Sequence, residues 1–217
     1  MLGDRKEIQE VKNAYAAYAQ MDAINPYELR ELTRLHGVMT QCTVEESGVF
    51  RRGEEGVFSG DVCIFMAPPA KRVPELMNAL FAWMKRECKT VHPLILSAVF
   101  HYEFVFIHPF ADGNGRMARL WHTAILAKWK PVFTCIPIES QIEKFQQEYY
   151  QAIAACHTAG NSDLFIEFML KQTDSILDEI SGQSAQCRDE LSEYVRRLLS
   201  AMEFGVPYTS SAIMAVL

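Results

Sequence analysis

The chain has 217 residues, 49% of them hydrophobic, which is enough for one domain with a packed core, since single domains run to roughly 250 residues. Its net charge of −6 argues against a nucleic-acid binder, which carries a basic footprint; an acidic protein that binds a polyphosphate must gather positive charge locally. The six cysteines form no CxxC pair, the N-terminus has no secretory pattern, and no apolar run nears the roughly 20 residues of a membrane span, so free thiols, a cytoplasmic setting and no membrane partner are expected.

Helical periodicity runs through most of the chain. Residues 5–21 place Ile8, Val11, Ala14, Tyr15 and Tyr18 at helical spacing, which predicts an amphipathic helix with that apolar face inward. Asn25-Pro26 opens a second helix carrying Leu29, Leu32, Leu35 and Val38, with Pro26 in its first turn. Residues 47–69 then turn glycine-rich and β-branched and end in Pro68-Pro69, which predicts a β-hairpin with strands near 49–52 and 61–66. Helices resume at 73–87 and 92–107, the latter with Pro93 in its first turn. Further helices are predicted at 115–129, ended by Lys130-Pro131, at 140–157, closed by Gly160, at 163–181, capped by Asn161 or Ser162, and at 183–204.

Between two of these helices lies the run His108-Pro109-Phe110-Ala111-Asp112-Gly113-Asn114-Gly115-Arg116-Met117-Ala118-Arg119. An imidazole, a carboxylate, an amide, two glycines and two arginines fall within one turn that opens onto a helix. Main-chain N–H groups at a helix N-terminus are unpaired and favour an anion, and glycine lets an anion approach them. This is the equipment for handling a nucleoside triphosphate. Taken singly, each residue has a plainer use: His108 as a cap or core histidine, Asp112 as an Asp-Gly turn residue, the glycines as turn formers. Pro109 sets the turn and Phe110 anchors it in the core.

The run matches every fixed position of HPFxxGNGRxxR, the signature of the Fic family, and resembles its AMP-transferase form. The resemblance covers about residues 5–180 and implies a mainly α fold, a bundle of about seven to eight helices with one β-hairpin flap beside the active-site loop. It implies ATP as donor and Mg²⁺ as cofactor. His108 would be the catalytic base and Asp112 the Mg²⁺ ligand. Gly113, Asn114 and Gly115 would cradle the α-phosphate, with Asn114 donating to its oxygen, while Arg116 holds the β-phosphate and Arg119, one helical turn on, the γ-phosphate. Cys63, Ile64, Phe65 and Met66 of the hairpin would lie over the nucleotide. Tyr149 and Tyr150, with Ile153 and His157, would form the adenine and ribose pocket; His157 stands where some relatives carry asparagine, and an aromatic stripe of this kind is equally at home in a core. His92, His101 and His122 read as satisfied helix histidines.

The resemblance also sets expectations for partners. A target protein would dock an extended segment on the hairpin edge and offer a Tyr, Thr or Ser hydroxyl. Many members are inhibited by an S/T-x-x-x-E-G/N helix whose glutamate pairs with the second arginine. Ser175 to Glu179 has the spacing, but Ile180 follows where glycine or asparagine belongs, so the inhibitor is expected in a lost N-terminal segment or in a separate protein. Residues 1–182 read as the Fic domain. Residues 183–217 read as a helix and the start of a winged-helix module cut short at Leu217, which would bring nucleic acid in only with the longer protein. A homodimer, another nucleotide donor, removal of AMP from a target, and a DNA-binding toxin–antitoxin module are the alternatives the sequence leaves open.

Overall fold

The computed structural model describes residues 4–59 and 62–181; the expected helix at 183–204, the winged-helix-like tail and the boundary at 182 lie outside the described residues. Among the described residues there are eight α-helices: α1 (Arg5–Tyr18), α2 (Leu29–Met39), α3 (Val73–Glu87), α4 (Pro93–Ile107), α5 (Asn114–Trp129), α6 (Ile138–Lys144), α7 (Gln146–Ala159) and α8 (Asp163–Ser181). A single antiparallel hairpin, β1 (Gly56–Ser59) and β2 (Val62–Met66), sits between α2 and α3 in the chain. No helix among the described residues is long and apolar enough to cross a membrane.

The bundle is organised around α4. Its sequence, PLILSAVFHYEFVFI, is apolar on every side, the mark of a helix surrounded by others. It packs most extensively against α5 and also against α3 and α8. Phe100, Phe104, Trp121 and Phe165 are fully buried where these helices meet. The Trp121 indole N–H donates to the Pro26 carbonyl at 2.9 Å, which gives the largest buried ring its hydrogen bond and ties α5 to the segment before α2. The consequence for the site is positional: the end of α4 and the start of α5 are held side by side, and the six residues 108–113 must turn between them.

Four elements differ from expectation. The first helix keeps only part of its expected face inward: Ala14 and Tyr18 pack against the core, Ile8 is exposed, Val11 is 70% and Tyr15 78% exposed, and Asn13 and Ala17 are buried. The Asn13 amide donates to the Gln41 carbonyl at 2.7 Å, so a polar residue aims α1 at the end of α2, and the small Ala17 permits close approach. Helix α2 begins at Leu29 because residues 25–28 form a turn, in which the Asn25 side chain accepts from Tyr27 N–H at 3.2 Å. The helix expected at 140–157 is two helices, broken at Phe145, whose ψ of 38° departs from helical geometry. The first strand lies at 56–59 rather than 49–52, for a reason found in Arg51 and given below. At the end of α7, Gly160 takes the left-handed φ of 70° and Asn161 caps α8 by accepting from Asp163 N–H at 3.2 Å, both as the sequence signals.

Candidate active site

His108 ends α4 in the left-handed region, with φ 50°. A non-glycine residue there is strained by about 1 kcal/mol or more, so the surroundings must hold it. They do so through its main chain: its N–H donates to Phe104 O at 2.9 Å, and its carbonyl accepts from Arg51 Nε at 2.7 Å. The ring is held by Nδ1, 3.3 Å from the Val105 carbonyl. A carbonyl only accepts, so Nδ1 carries the proton and Nε2 presents its lone pair. Burial lowers the His108 pKa below its ordinary value; the Val105 carbonyl opposes that, the Arg51 charge adds to it, and Asp112 opposes it. The imidazole is therefore neutral at pH 7 with one open nitrogen, the state a general base requires.

The loop after His108 is locked from beneath. Phe110 is fully buried and stacks face to face on His36 of α2, ring centroids 3.6 Å apart. His36 is buried as well: its Nε2 donates to the Asp112 carbonyl and its Nδ1 accepts from Gly48 N–H, both at 2.9 Å. Asn114 closes the loop on itself, its Oδ1 accepting from Phe110 N–H at 2.9 Å and its Nδ2 donating to Phe110 O at 2.7 Å. That corrects the expected role of the Asn114 side chain. The side chain is buried and staples the turn, so the donors left for an anion here are main-chain ones at the start of α5.

The two glycines serve differently. Gly113 has φ 81°, and a Cβ there would lie 3.1 Å from Thr40 Cγ2 and 3.4 Å from His36 Nε2. A Cβ on Gly115 would meet only the Arg119 guanidinium, 3.3 Å away. Gly113→Ala is therefore expected to destabilise the fold by about 1–3 kcal/mol in urea denaturation, whereas Gly115→Ala should change stability by less than about 1 kcal/mol and displace Arg119.

Asp112 and Arg116 face each other one helical turn apart, Oδ1 to Nη2 at 3.6 Å, and the Arg116 Nη1 lies 3.8 Å from Glu10 of α1. Neither distance is a hydrogen bond, and Nη1 is buried without one. Arg119 lines a cavity of about 290 Å³ together with Glu139, Ile142, Glu143, Gln146, Tyr149 and Tyr150. Glu179, the residue with inhibitory spacing, ion-pairs with Lys144 at 3.1 Å rather than with Arg119. Burial pushes the Glu139 carboxyl up to about 7.

The expected base pocket is divided. Tyr149 is buried, and its hydroxyl bonds to His101 Nε2 at 3.0 Å, so it is a core residue that shows one edge to the Arg119 cavity. Tyr150 is half-buried on the same cavity. His157 lines a different recess of about 500 Å³ with Tyr102, Glu103, Phe106 and Asp163. In the hairpin, Phe65 is buried and stacks on His157 (5.1 Å) and on Phe106 (5.7 Å), while Met66 is exposed. Val57 pairs with Phe65 and Phe58 with Cys63, which makes Ile64 the bulged residue of β2; the side chains of Cys63 and Ile64 lie outside the described ones. His122 is less well satisfied than expected: the Ser97 carbonyl acts on its ring, but neither ring nitrogen reaches full hydrogen-bond geometry.

Two residues the sequence reading passed over hold the site together, Arg51 and His36. His36 had a visible signal, a histidine on the face of α2 that carries Leu32, Leu35 and Met39. Arg51 had none.

Residues 26–126 match the family model described as the Fic/DOC family. The chain is 34% identical to a protein adenylyltransferase Fic of Nematostella vectensis over 61% of its own length and 29% of that protein. It is 29% identical to a protein of the same name from Aedes aegypti over 97% of itself and 42% of the relative, so it spans less than half of these curated relatives. A crystal structure of a Fic family protein from Desulfovibrio desulfuricans G20 superposes with a TM-score of 0.79 at 39% identity, covering 100% of this chain and 64% of that one.

Proposed function

We propose, on the premise that this chain belongs to the Fic/DOC family through residues 26–126, that it is a protein adenylyltransferase, moving AMP from ATP to a Tyr, Thr or Ser hydroxyl of a target protein and onto itself. The observation that carries the proposal is a pairing: a neutral imidazole with one open nitrogen stands at one end of a locked loop, and at the other stands the Arg116 guanidinium, near the Glu10 and Asp112 carboxylates but with its buried Nη1 making no hydrogen bond. A guanidinium beside a helix N-terminus whose contacts to carboxylates are too long for hydrogen bonds is one that a phosphate oxygen can engage more closely.

His108 Nε2 takes the proton of the target hydroxyl as its oxygen bonds to the α-phosphorus. The bond from that phosphorus to the bridging oxygen breaks, and pyrophosphate leaves with the electron pair. Arg116, and Arg119 one turn further, hold the leaving phosphates, so that the α- and not the γ-phosphorus faces the base. Main-chain N–H groups at the start of α5 meet the charge that builds on the α-phosphate. Asp112 suits Mg²⁺: its contacts to the Gly113 N–H and to Arg116 both fall on Oδ1, and Mg²⁺ takes one carboxylate with water and phosphate oxygens for the remainder. Bound there, the ion would neutralise phosphate charge.

The target would pair with a free edge of the two-stranded hairpin, which would bring its hydroxyl to His108 with little demand on sequence. Arg119, with Glu179 committed to Lys144, is open to a γ-phosphate, so inhibition would come from a separate protein or from a segment outside the described residues.

Incubation with Mg²⁺ and ATP labelled at either end tests the reaction. Mass spectrometry should find the chain carrying AMP, and α-label but not γ-label should be retained. Retention of γ-label would make the protein a kinase and overturn the proposal. Competition by UTP and GTP tests the donor, whose base end His157 and Phe65 would shape.

A further inference from the structure

We infer that Arg51 is a positioning residue that pins both legs of the hairpin flap to the main chain of His108, so that flap and base move as one unit. The side chain is buried, 3% exposed. Nε donates to the His108 carbonyl at 2.7 Å and Nη1 to the Gly53 carbonyl at 2.7 Å. Nη2 donates to the Pro68 carbonyl at 2.5 Å and lies 3.4 Å from the Ile107 carbonyl. The Arg51 main-chain N–H adds a bond to Pro109 O at 2.9 Å.

All these acceptors are main-chain carbonyls, and their places in the chain give the inference its content. Gly53 lies just before β1 and Pro68 just after β2, so the guanidinium grips the two ends of the flap. Ile107 and His108 are the last turn of α4, where helix carbonyls lack intrahelical partners and favour a cation. A two-stranded sheet is marginal by itself in water. Among the flap's other ties are the Ala67 N–H to Glu55 O bond, the Ala70 N–H to Glu54 Oε1 bond at 3.3 Å, and Phe65 packed on Phe106 and His157. One planar side chain with five donors thus fixes the flap angle and holds His108 at its strained φ. Lysine, with a single nitrogen, cannot make all of these bonds in one geometry.

As a claim about the flap and the imidazole this is independent of the reaction; as a claim about rate it rests on the adenylyltransferase reading. The test compares Arg51→Met and Arg51→Lys with Arg52→Ala, which removes an exposed charge one residue away. Arg51→Met should raise hydrogen exchange across 54–67 at least ~10-fold while α4 and α5 stay protected. By NMR its His108 ring should titrate at higher pH, since the cation opposing protonation is gone while Val105 O and Asp112 remain. In auto-AMPylation kcat should fall about 100-fold with KM for ATP within about threefold, the mark of a misplaced base rather than a lost binding contact. Arg51→Lys should restore the His108 titration but not the flap protection. Unchanged exchange and titration in Arg51→Met overturn the inference, as does a higher KM with kcat intact. Should Arg51→Met not fold, Arg51→Lys decides: hairpin protection equal to wild type overturns the inference. A wild-type protein that transfers no AMP, while the exchange and titration shifts appear, sinks the reaction and leaves Arg51 in this role.

Discussion

His108→Ala should bind nucleotide as wild type does and lose AMP transfer by about 10²- to 10⁴-fold, the contribution of a positioned general base. Binding should survive because the loop does not depend on the imidazole. Its shape is set by the Phe110–His36 stack, by Asn114 closing on Phe110 and by the hydrogen bonds to the His108 main chain, all of which alanine leaves in place. The pH profile supplies an independent check. The His108 pKa lies below the ordinary histidine value, burial being the largest cause. The active form is neutral, so the wild-type rate should hold as pH falls to about 6.5 and drop only below that. His108→Ala should lose that acid limb along with the rate. A mutant that transfers AMP at wild-type rate, or that keeps the same acid limb, removes His108 from the chemistry.

What was legible in the sequence follows the range over which each residue acts. The run from His108 to Arg119 could be read because its chemistry is packed into adjacent positions and its flanks are strongly apolar. Helices α4 and α5 could be placed because Pro93 and Pro131 punctuate them. The roles of Arg51 and His36 could not, because what ties them to the site is a bond to the His108 carbonyl 57 residues away and one to the Asp112 carbonyl 76 residues away, and main-chain carbonyls have no sequence signature. The misplaced first strand is the same failure seen locally. The segment around Arg51 looks strand-forming, but its main-chain N–H is committed to Pro109 and its side chain to Gly53 and Pro68, so pairing with β2 starts only at Gly56. On α1 the apolar pattern pointed one way and a single buried asparagine the other. Asn13 is buried and its bond to the Gln41 carbonyl meets its need for a partner, since leaving a buried amide unpaired costs about 1–3 kcal/mol. Asn114 is the instructive case within the motif. The resemblance gives its side chain to the phosphate, yet the fold uses that side chain to close the turn on Phe110.

His122→Leu should stabilise the protein, and by more in acid than at neutral pH. His122 lies fully buried in α5, 5.8 Å from the His101 ring, and neither of its nitrogens reaches full hydrogen-bond geometry. Burial lowers its pKa to about 4, with the nearby Ser97 carbonyl opposing the shift. A histidine whose folded pKa lies below its unfolded value takes up its proton more readily on unfolding. The contribution of His122 to stability therefore falls as pH drops below about 6.5, until the folded form also protonates near 4. For a shift of this size the loss at pH 5 is about 2 kcal/mol relative to neutral pH, and leucine, of similar volume and without a charge, abolishes it. His36, His92 and His101 are shifted the same way, while the raised carboxyls of Glu103, Glu139 and Asp163 act oppositely, so the pH dependence of the wild type alone identifies no single group. The difference between the two proteins does. Urea denaturation at pH 7.5 and pH 5 should show the leucine variant gaining about 2 kcal/mol more at the lower pH, apart from the smaller relief of His101 once its neighbour's charge is gone. An equal difference at both pH values would mean that His122 is paired or hydrated in solution and does not titrate with unfolding.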